Sequence, residues 1–419
     1  MAHGAEQRYT TGMGTNTSFT LGMGRLGNIA LSLELLLCVL AIGALVFEPA
    51  VGSIAAAIYL LAGVSLIALH PTEILSTLIR QWYLLLLPFF CTISAIWSNY
   101  PAISFRFAIQ LVITFVIALV LARLMSARRF CTALFILLGI AMVCSILFGR
   151  VRSDIGAWAG IYGSKNSFAG AGAIFALVSM SIALDHTRSL LFRATGLGGC
   201  LMGVALVALA QSTGALLLLL PALGVAVLMK TIPQIRPLHR IVFFIFGGLF
   251  TVLVVLMVMA NSDYLMAMLL ETTGKDITLT GRTDLWAVAW DFIKARPLLG
   301  VGYKAFWVQG FAPAEALWLF FGIDARGGFN FHNMYLSNAV DIGIIGLAMQ
   351  IFVFYGAALL NWRLAMIKWD ASAVFFFSLL LMTIAVSFIE VPLFAQFQVR
   401  TLVVVCSFAF ALKGLKEAH

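Results

Sequence analysis

Six histidines are present, and one of them is placed to act on a ligand. His3 and His419 are terminal, His70, His186 and His239 fall in segments assigned below to the cytoplasmic side, and His332 alone falls on the other. His332 follows Arg326-Gly327-Gly328, the most flexible stretch of a long polar segment, and opens an apolar run. A neutral imidazole there can take a proton from a hydroxyl near neutral pH. Equally, a lone histidine at a helix start serves as a cap or an interface residue. The cations on its side are Arg106 near a span end, Arg150, Arg152 and Lys165 in one short loop, six more in the long segment that holds Arg282 and Arg326, and Arg400 in the last connection. They are suited to an anionic group; contacts to lipid headgroups, or an ion pair with Asp154, are the plainer alternative. No second His, Cys or carboxylate cluster on that face suggests a metal site. The six cysteines lie in or beside apolar runs without a CxxC pair, and read as small core or lipid-facing residues.

The elements that must position these residues are membrane spans. Of 419 residues, 62% are hydrophobic and 10% charged, against roughly a quarter charged in a soluble domain. That excludes a soluble globule. Lipid admits only helices or closed barrels, and runs such as Leu111 to Leu121 lack the alternation of barrel strands. The fold class expected is an all-α polytopic membrane protein. Twelve apolar runs are counted: 29–47, 51–69, 82–97, 103–122, 130–148, 167–184, 194–210, 215–229, 241–260, 334–360, 371–389 and 397–413. Pro49 and Pro101 end tight hairpins. Gln211-Ser212-Thr213-Gly214 splits 197–229 into two spans. The first 26 residues are polar and glycine-rich, unlike a cleaved signal peptide, so the first run is read as a retained span.

Orientation follows from Lys and Arg, which are held on the cytoplasmic side. With the N-terminus inside, fifteen of the 26 cations fall on inner segments and eleven outside. Six of the eleven sit in 261–333, a segment long enough to cross regardless of charge. Short loops therefore divide fifteen to five, and both termini are expected in the cytoplasm of a bacterium whose inner membrane holds the chain. The expected organisation is a tail over 1–28, spans one to nine over 29–260, a periplasmic loop over 261–333, spans ten to twelve over 334–413, and a C-terminus over 414–419. The net charge of +9 then reflects topology and an outer binding surface, with no nucleic-acid partner.

Ionisable residues are scarce in the spans, with Glu34 and Arg106 near span ends, which favours an interfacial site over a midplane transport site. In the long loop, Thr283 can cap a helix from Asp284 to about Arg296. Leu285, Trp286, Ala289, Trp290 and Ile293 would share its apolar face, suited to the interface plane. Four of nine tryptophans (Trp286, Trp290, Trp307, Trp318) lie in this loop, as interface anchors or as platforms for sugars. Ala314 to Gly322 is too short to span and is expected to dip into the membrane or pack on the bundle.

Three stretches resemble one family. Gly281-Arg282-Thr283-Asp284-Leu285-Trp286, then Pro297-Leu298-Leu299-Gly300-Val301-Gly302-Tyr303, then His332-Asn333-Met334-Tyr335-Leu336 with Gly343-Ile344-Ile345-Gly346-Leu347, are similar in order and spacing to the O-antigen ligase and O-antigen polymerase superfamily. Gly160 to Asn166 and Thr280-Gly281-Arg282-Thr283 resemble its exopolysaccharide, succinoglycan-type polymerase branch. Two departures stand out. Gln211 to Ala215 lacks the cation of a Ser-Arg-Gly-like turn, and Ser164 stands where a histidine precedes Lys-Asn.

The resemblance implies an inverting, metal- and cofactor-independent glycosyltransferase that polymerises undecaprenyl-diphosphate-linked oligosaccharide repeats at the periplasmic face. It implies His332 as base, Arg282 on the diphosphate with Arg152, Arg326 and Arg400 as further partners, and Asn333 orienting substrate or base. Lys165 and Asn166 complete the substrate-binding set. Lipid-linked donor and acceptor, membrane lipid and a chain-length regulator are the implied partners. Two alternatives remain: a ligase of the same superfamily, transferring glycan to lipid A core or protein, and a flippase or exporter of lipid-linked sugars, which would form no glycosidic bond.

Overall fold

The structure, a computed structural model, describes residues 17–153, 155–232 and 281–418, with Ile235, Arg236, His239, Val242 and Met257 between them, and no side chains over 17–32. The expected span 241–260, the tail 1–16, Asp154 and loop positions 261–280 lie outside the described residues. Before the gap run α1 (Thr17–Val51), α2 (Ser53–Leu69), α3 (Pro71–Arg80), α4 (Leu86–Ile93), α5 (Pro101–Leu124), α6 (Ala127–Phe148), strands β1 (Arg150–Val151) and β2 (Trp158–Gly160), α7 (Lys165–Leu184), α8 (Leu190–Leu209) and α9 (Thr213–Thr231). After it come α10 (Arg282–Ala295), α11 (Ala312–Phe320), α12 (Met334–Ile367), α13 (Ala371–Ser387) and α14 (Val399–Lys416).

Seven of these helices, α12 and six between Leu33 and Lys230, are long and apolar enough to cross a membrane. Among the described residues that criterion gives seven spans, or eight if the bent pair α2 and α3 is one, against the eleven expected there. Ala371–Ser387 and Trp82–Ile96 are shorter, the latter because 3₁₀ turns flank α4. The bend between α2 and α3 is 101°, so 71–80 is a helix where the sequence reading had only an inner loop. The small antiparallel ribbon of β1 and β2 is likewise an exception to an all-helical chain.

Small residues set the tightest packing. α7 and α8 meet where a Cβ on Gly203 would lie 2.9 Å from Ala176 Cβ, and one on Gly199 2.8 Å from Ser179 Oγ. In a membrane such close approach replaces the hydrophobic drive between helices. At one end of the bundle Asp185 caps the turn after α7, bonded to Thr187 and to Arg188 Nε at 2.9 Å, with Arg128 Nε at 3.6 Å. Glu73 pairs Arg123 at 2.9 Å.

The described part of the long segment before α12 has a core of its own. Leu285 and Ala289 of α10, Ala314, Leu317 and Trp318 of α11, and Phe306 and Phe331 pack together. This corrects the anchor reading of the tryptophans: Trp318 is buried, Trp307 and Trp286 pack against that cluster or its edge, and only Trp290 is exposed. Gly281 at φ 80, not Thr283, precedes the first helical residue of α10.

The loop is joined to the bundle at a break inside α12. Gly343 has φ 63 and ψ −172, a region open essentially to glycine alone. The backbone groups released by that break are taken up by the turn 297–302. Ile344 N–H donates to Pro297 O at 2.8 Å, Val301 N–H to Val340 O at 2.9 Å and Gly302 N–H to Asp341 O at 2.9 Å. The Asp341 side chain accepts from the N–H groups of Lys304 and Phe306. The single expected run 334–360 is thus two helical pieces with a backbone joint between them. A Cβ on Gly343 would strike the Leu298 carbonyl. Gly343→Ala should therefore cost about 3 kcal/mol and lower the melting temperature in detergent; an unchanged melt would mean the joint is not strained there.

Candidate functional site

A cavity of about 600 Å³ opens at the end of the bundle where the outer-assigned residues gather. Its lining is part apolar, with Leu45, Val46, Leu138, Ile174 and Met382, all buried, and part polar, with Lys165, Asn166, Gln211, Ser212, Arg282, Glu390 and Arg400. The residues singled out from sequence as Lys165, Asn166, Arg282 and Arg400 are thus brought together from three helices, α7, α10 and α14. Arg152 and Arg326 are not among the lining residues. Arg152 N–H and C=O close the turn before β2 with Ala157 and Gly156, and Arg326 Nε pairs Glu315 at 3.3 Å.

The residue that ties the site together is Glu390. One of its oxygens lies 3.2 Å from His332 Nδ1, the other 3.9 Å from Arg282 Nη2. Nothing in a one-dimensional pattern joins residues 282, 332 and 390. His332 itself does not line the cavity wall but stands beside it through this carboxylate. An acceptor on Nδ1 fixes the neutral ring with its proton there, leaving Nε2 as the basic nitrogen.

The loop presents His332 in a constrained form. Its φ of 49 is uncommon for a residue with a side chain. Its N–H is satisfied by Asn330 Oδ1 at 2.7 Å, and the preceding carbonyl, of Phe331, by Trp286 Nε1 at 2.8 Å. Asn333 is the helix cap: its Oδ1 accepts from Tyr335 N–H and Leu336 N–H, and its Nδ2 donates to Phe388 O at 3.3 Å. The capping task that sequence left open for His332 therefore belongs to Asn333.

The connection from Glu390 to Arg400 is pinned from several sides. Tyr303 OH donates to Phe394 O at 2.8 Å, Phe394 N–H to Thr401 Oγ1 at 3.0 Å and Phe397 N–H to Thr114 Oγ1 at 3.1 Å. Arg400 then lies across α7 at Gly170, where any Cβ would run into its guanidinium. Lys165 Nζ donates to Gln211 O at 3.4 Å and Ser212 Oγ to Asn166 Oδ1 at 3.4 Å.

Backbone adds to the positive potential. α7, α9, α10 and α14 all start at the cavity, and no side chain caps the first turn of the last three. Helix N-termini carry about half a positive charge and free N–H groups. The start of α9 falls at Ser212 to Ala215, where a cation was expected and none is present. With Lys165, Arg282 and Arg400 against Glu48 and Glu390, the cavity can hold an anion that bears an apolar tail. Among the described residues no group of three His, Cys, Asp or Glu could hold a metal ion.

Residues 198–351 match the O-antigen ligase family model. Over 279 residues the chain is 34% identical to the exopolysaccharide production protein ExoQ of Rhizobium meliloti (strain 1021), which covers 64% of this chain and 62% of that protein. The match therefore spans under two thirds of the relative's length.

Trp286 gives a direct test of how the loop holds its histidine. Trp286→Phe removes the donor to Phe331 O and leaves that buried carbonyl unpaired, at a cost of about 1–3 kcal/mol. Amide exchange over 329–332 should accelerate; unchanged exchange would show that this bond does not order the segment.

Proposed function

We propose that this chain, similar in part to the O-antigen ligase family and to an exopolysaccharide production protein, is a membrane glycosyltransferase that polymerises undecaprenyl-diphosphate-linked repeats. The observation that carries this reading is the cavity: cations and uncapped helix starts along part of its lining, apolar side chains along the rest, and a histidine with a bridging carboxylate at its edge. A lipid diphosphate has that same division between anion and hydrocarbon.

In the proposed reaction His332 Nε2 takes the proton of an acceptor sugar hydroxyl. The oxygen attacks the anomeric carbon of the donor glycan, and the bond to the diphosphate breaks. One in-line displacement inverts the anomeric centre, and undecaprenyl diphosphate leaves with the electron pair. Charge growing on the diphosphate is where electrostatic stabilisation acts most. Arg282 grips those oxygens with a planar fork, aided by Arg400 and Lys165. Glu390 holds His332 in the right tautomer and stabilises the imidazolium that forms. The lipid tail enters between the helices that carry the apolar lining. The site works in the periplasm, with both termini in the cytoplasm.

The family model's own description favours one alternative, a ligase using the same donor chemistry with another acceptor. Reconstitution with lipid-linked repeats separates the readings. Lengthened glycans on the lipid carrier support polymerisation, transfer only to lipid A core or protein supports ligation, and translocation without new bonds would overturn both.

Three substitutions or additions sharpen the reading. His332→Ala should abolish chain extension, and a normal length distribution would remove His332 from the chemistry. Arg282→Lys keeps the charge and loses the fork, so turnover should fall at least about tenfold; wild-type turnover would make Arg282 structural. A chelator should leave activity unchanged, and loss restored by a divalent ion would refute the metal-free mechanism.

A further inference from the structure

Tyr162 occupies a turn built to hold it. Gly160 has φ 58, Ile161 N–H donates to Ser145 Oγ at 3.3 Å and Tyr162 N–H to Ala159 O at 3.1 Å. The ring packs on Phe168 with centroids 6.0 Å apart. Tyr162 is 5% exposed and lines the cavity with Lys165, Arg282 and Arg400, yet its hydroxyl has no hydrogen-bond partner.

Most buried polar groups are paired, and an unpaired one is a cost borne by the protein alone. Where such a group borders a cavity, it is a candidate for completion by a ligand. Burial pushes the Tyr162 phenol up, so it is an O–H donor at neutral pH. Beside it the first turn of α9, Thr213 to Ala215, lines the same cavity with no side-chain cap. Neutral donors on a cationic wall are best matched by an anionic acceptor, since charge-assisted hydrogen bonds are about twice as strong as neutral ones.

We propose that Tyr162 is a ligand-binding residue whose hydroxyl, with the uncapped first turn of α9, donates to a phosphoryl oxygen of a diphosphate held by Lys165, Arg282 and Arg400. The inference rests on the reading of the cavity as a diphosphate site and adds to it a donor that carries no charge. It also gives the Gly160 to Asn166 segment a second task besides supplying Lys165 and Asn166.

The test is calorimetric titration of the full-length protein in detergent with inorganic diphosphate, and separately with a neutral disaccharide, maltose. Wild type should bind diphosphate and Tyr162→Phe about tenfold more weakly. The variant's melting temperature without ligand should be equal or higher, because an unpaired buried hydroxyl has been removed. Absence of diphosphate binding by the wild type would defeat the cavity reading itself. Wild-type affinity in Tyr162→Phe, with binding lost in Arg282→Gln, would overturn the role of Tyr162 and leave the cavity reading standing. A variant that melts well below wild type, or one that loses maltose affinity only, would overturn it too.

Discussion

A span that breaks inside lipid must find other partners for the backbone groups it frees, and the break at Gly343 meets that demand with the turn 297–302. This joint is what makes the segment before α12 part of the bundle. Its carbonyls and amides pair with the interrupted helix, while Trp97 Nε1 donates to Leu299 O at 3.0 Å from the other side. From that fixed point α10 runs back to Arg282 and α12 runs back to His332. The two stretches around Pro297 and Gly343 are thus halves of one structural device.

The cavity applies the same economy to charge. Water-poor surroundings strengthen every electrostatic contact, so a few cations suffice if their positions are fixed. Arg400 is laid flat against Gly170, and Glu390 sits between Arg282 and His332. Glu390 thus does two things in the structure: it pairs the imidazole at Nδ1 and offsets the charge of Arg282.

Much of this was legible in the residues. Apolar runs marked most helices because a bilayer imposes both length and composition, and the polar break at Gln211 to Gly214 did separate α8 from α9. The grouping of Lys165, Asn166, Arg282 and Arg400 was readable from which side each run ends on. What pattern did not carry was tertiary. The break at Gly343 leaves the hydropathy uniform, the burial of Trp307 and Trp318 depends on a loop core assembled from three segments, and the bond from His332 to Glu390 spans 58 residues. Arg326, which the resemblance set with the substrate-binding residues, does not line the cavity, and its Nε pairs Glu315.

The open starts of α9, α10 and α14 have a consequence for how such a site can change over generations. Their positive potential belongs to peptide groups, so no codon encodes it and no single replacement erases it. A lineage can drop an arginine from the turn at Gln211 and retain part of the attraction for phosphate, provided the helix still begins there. Sequence change at the cavity is thus buffered by architecture as long as each helix begins in the same place.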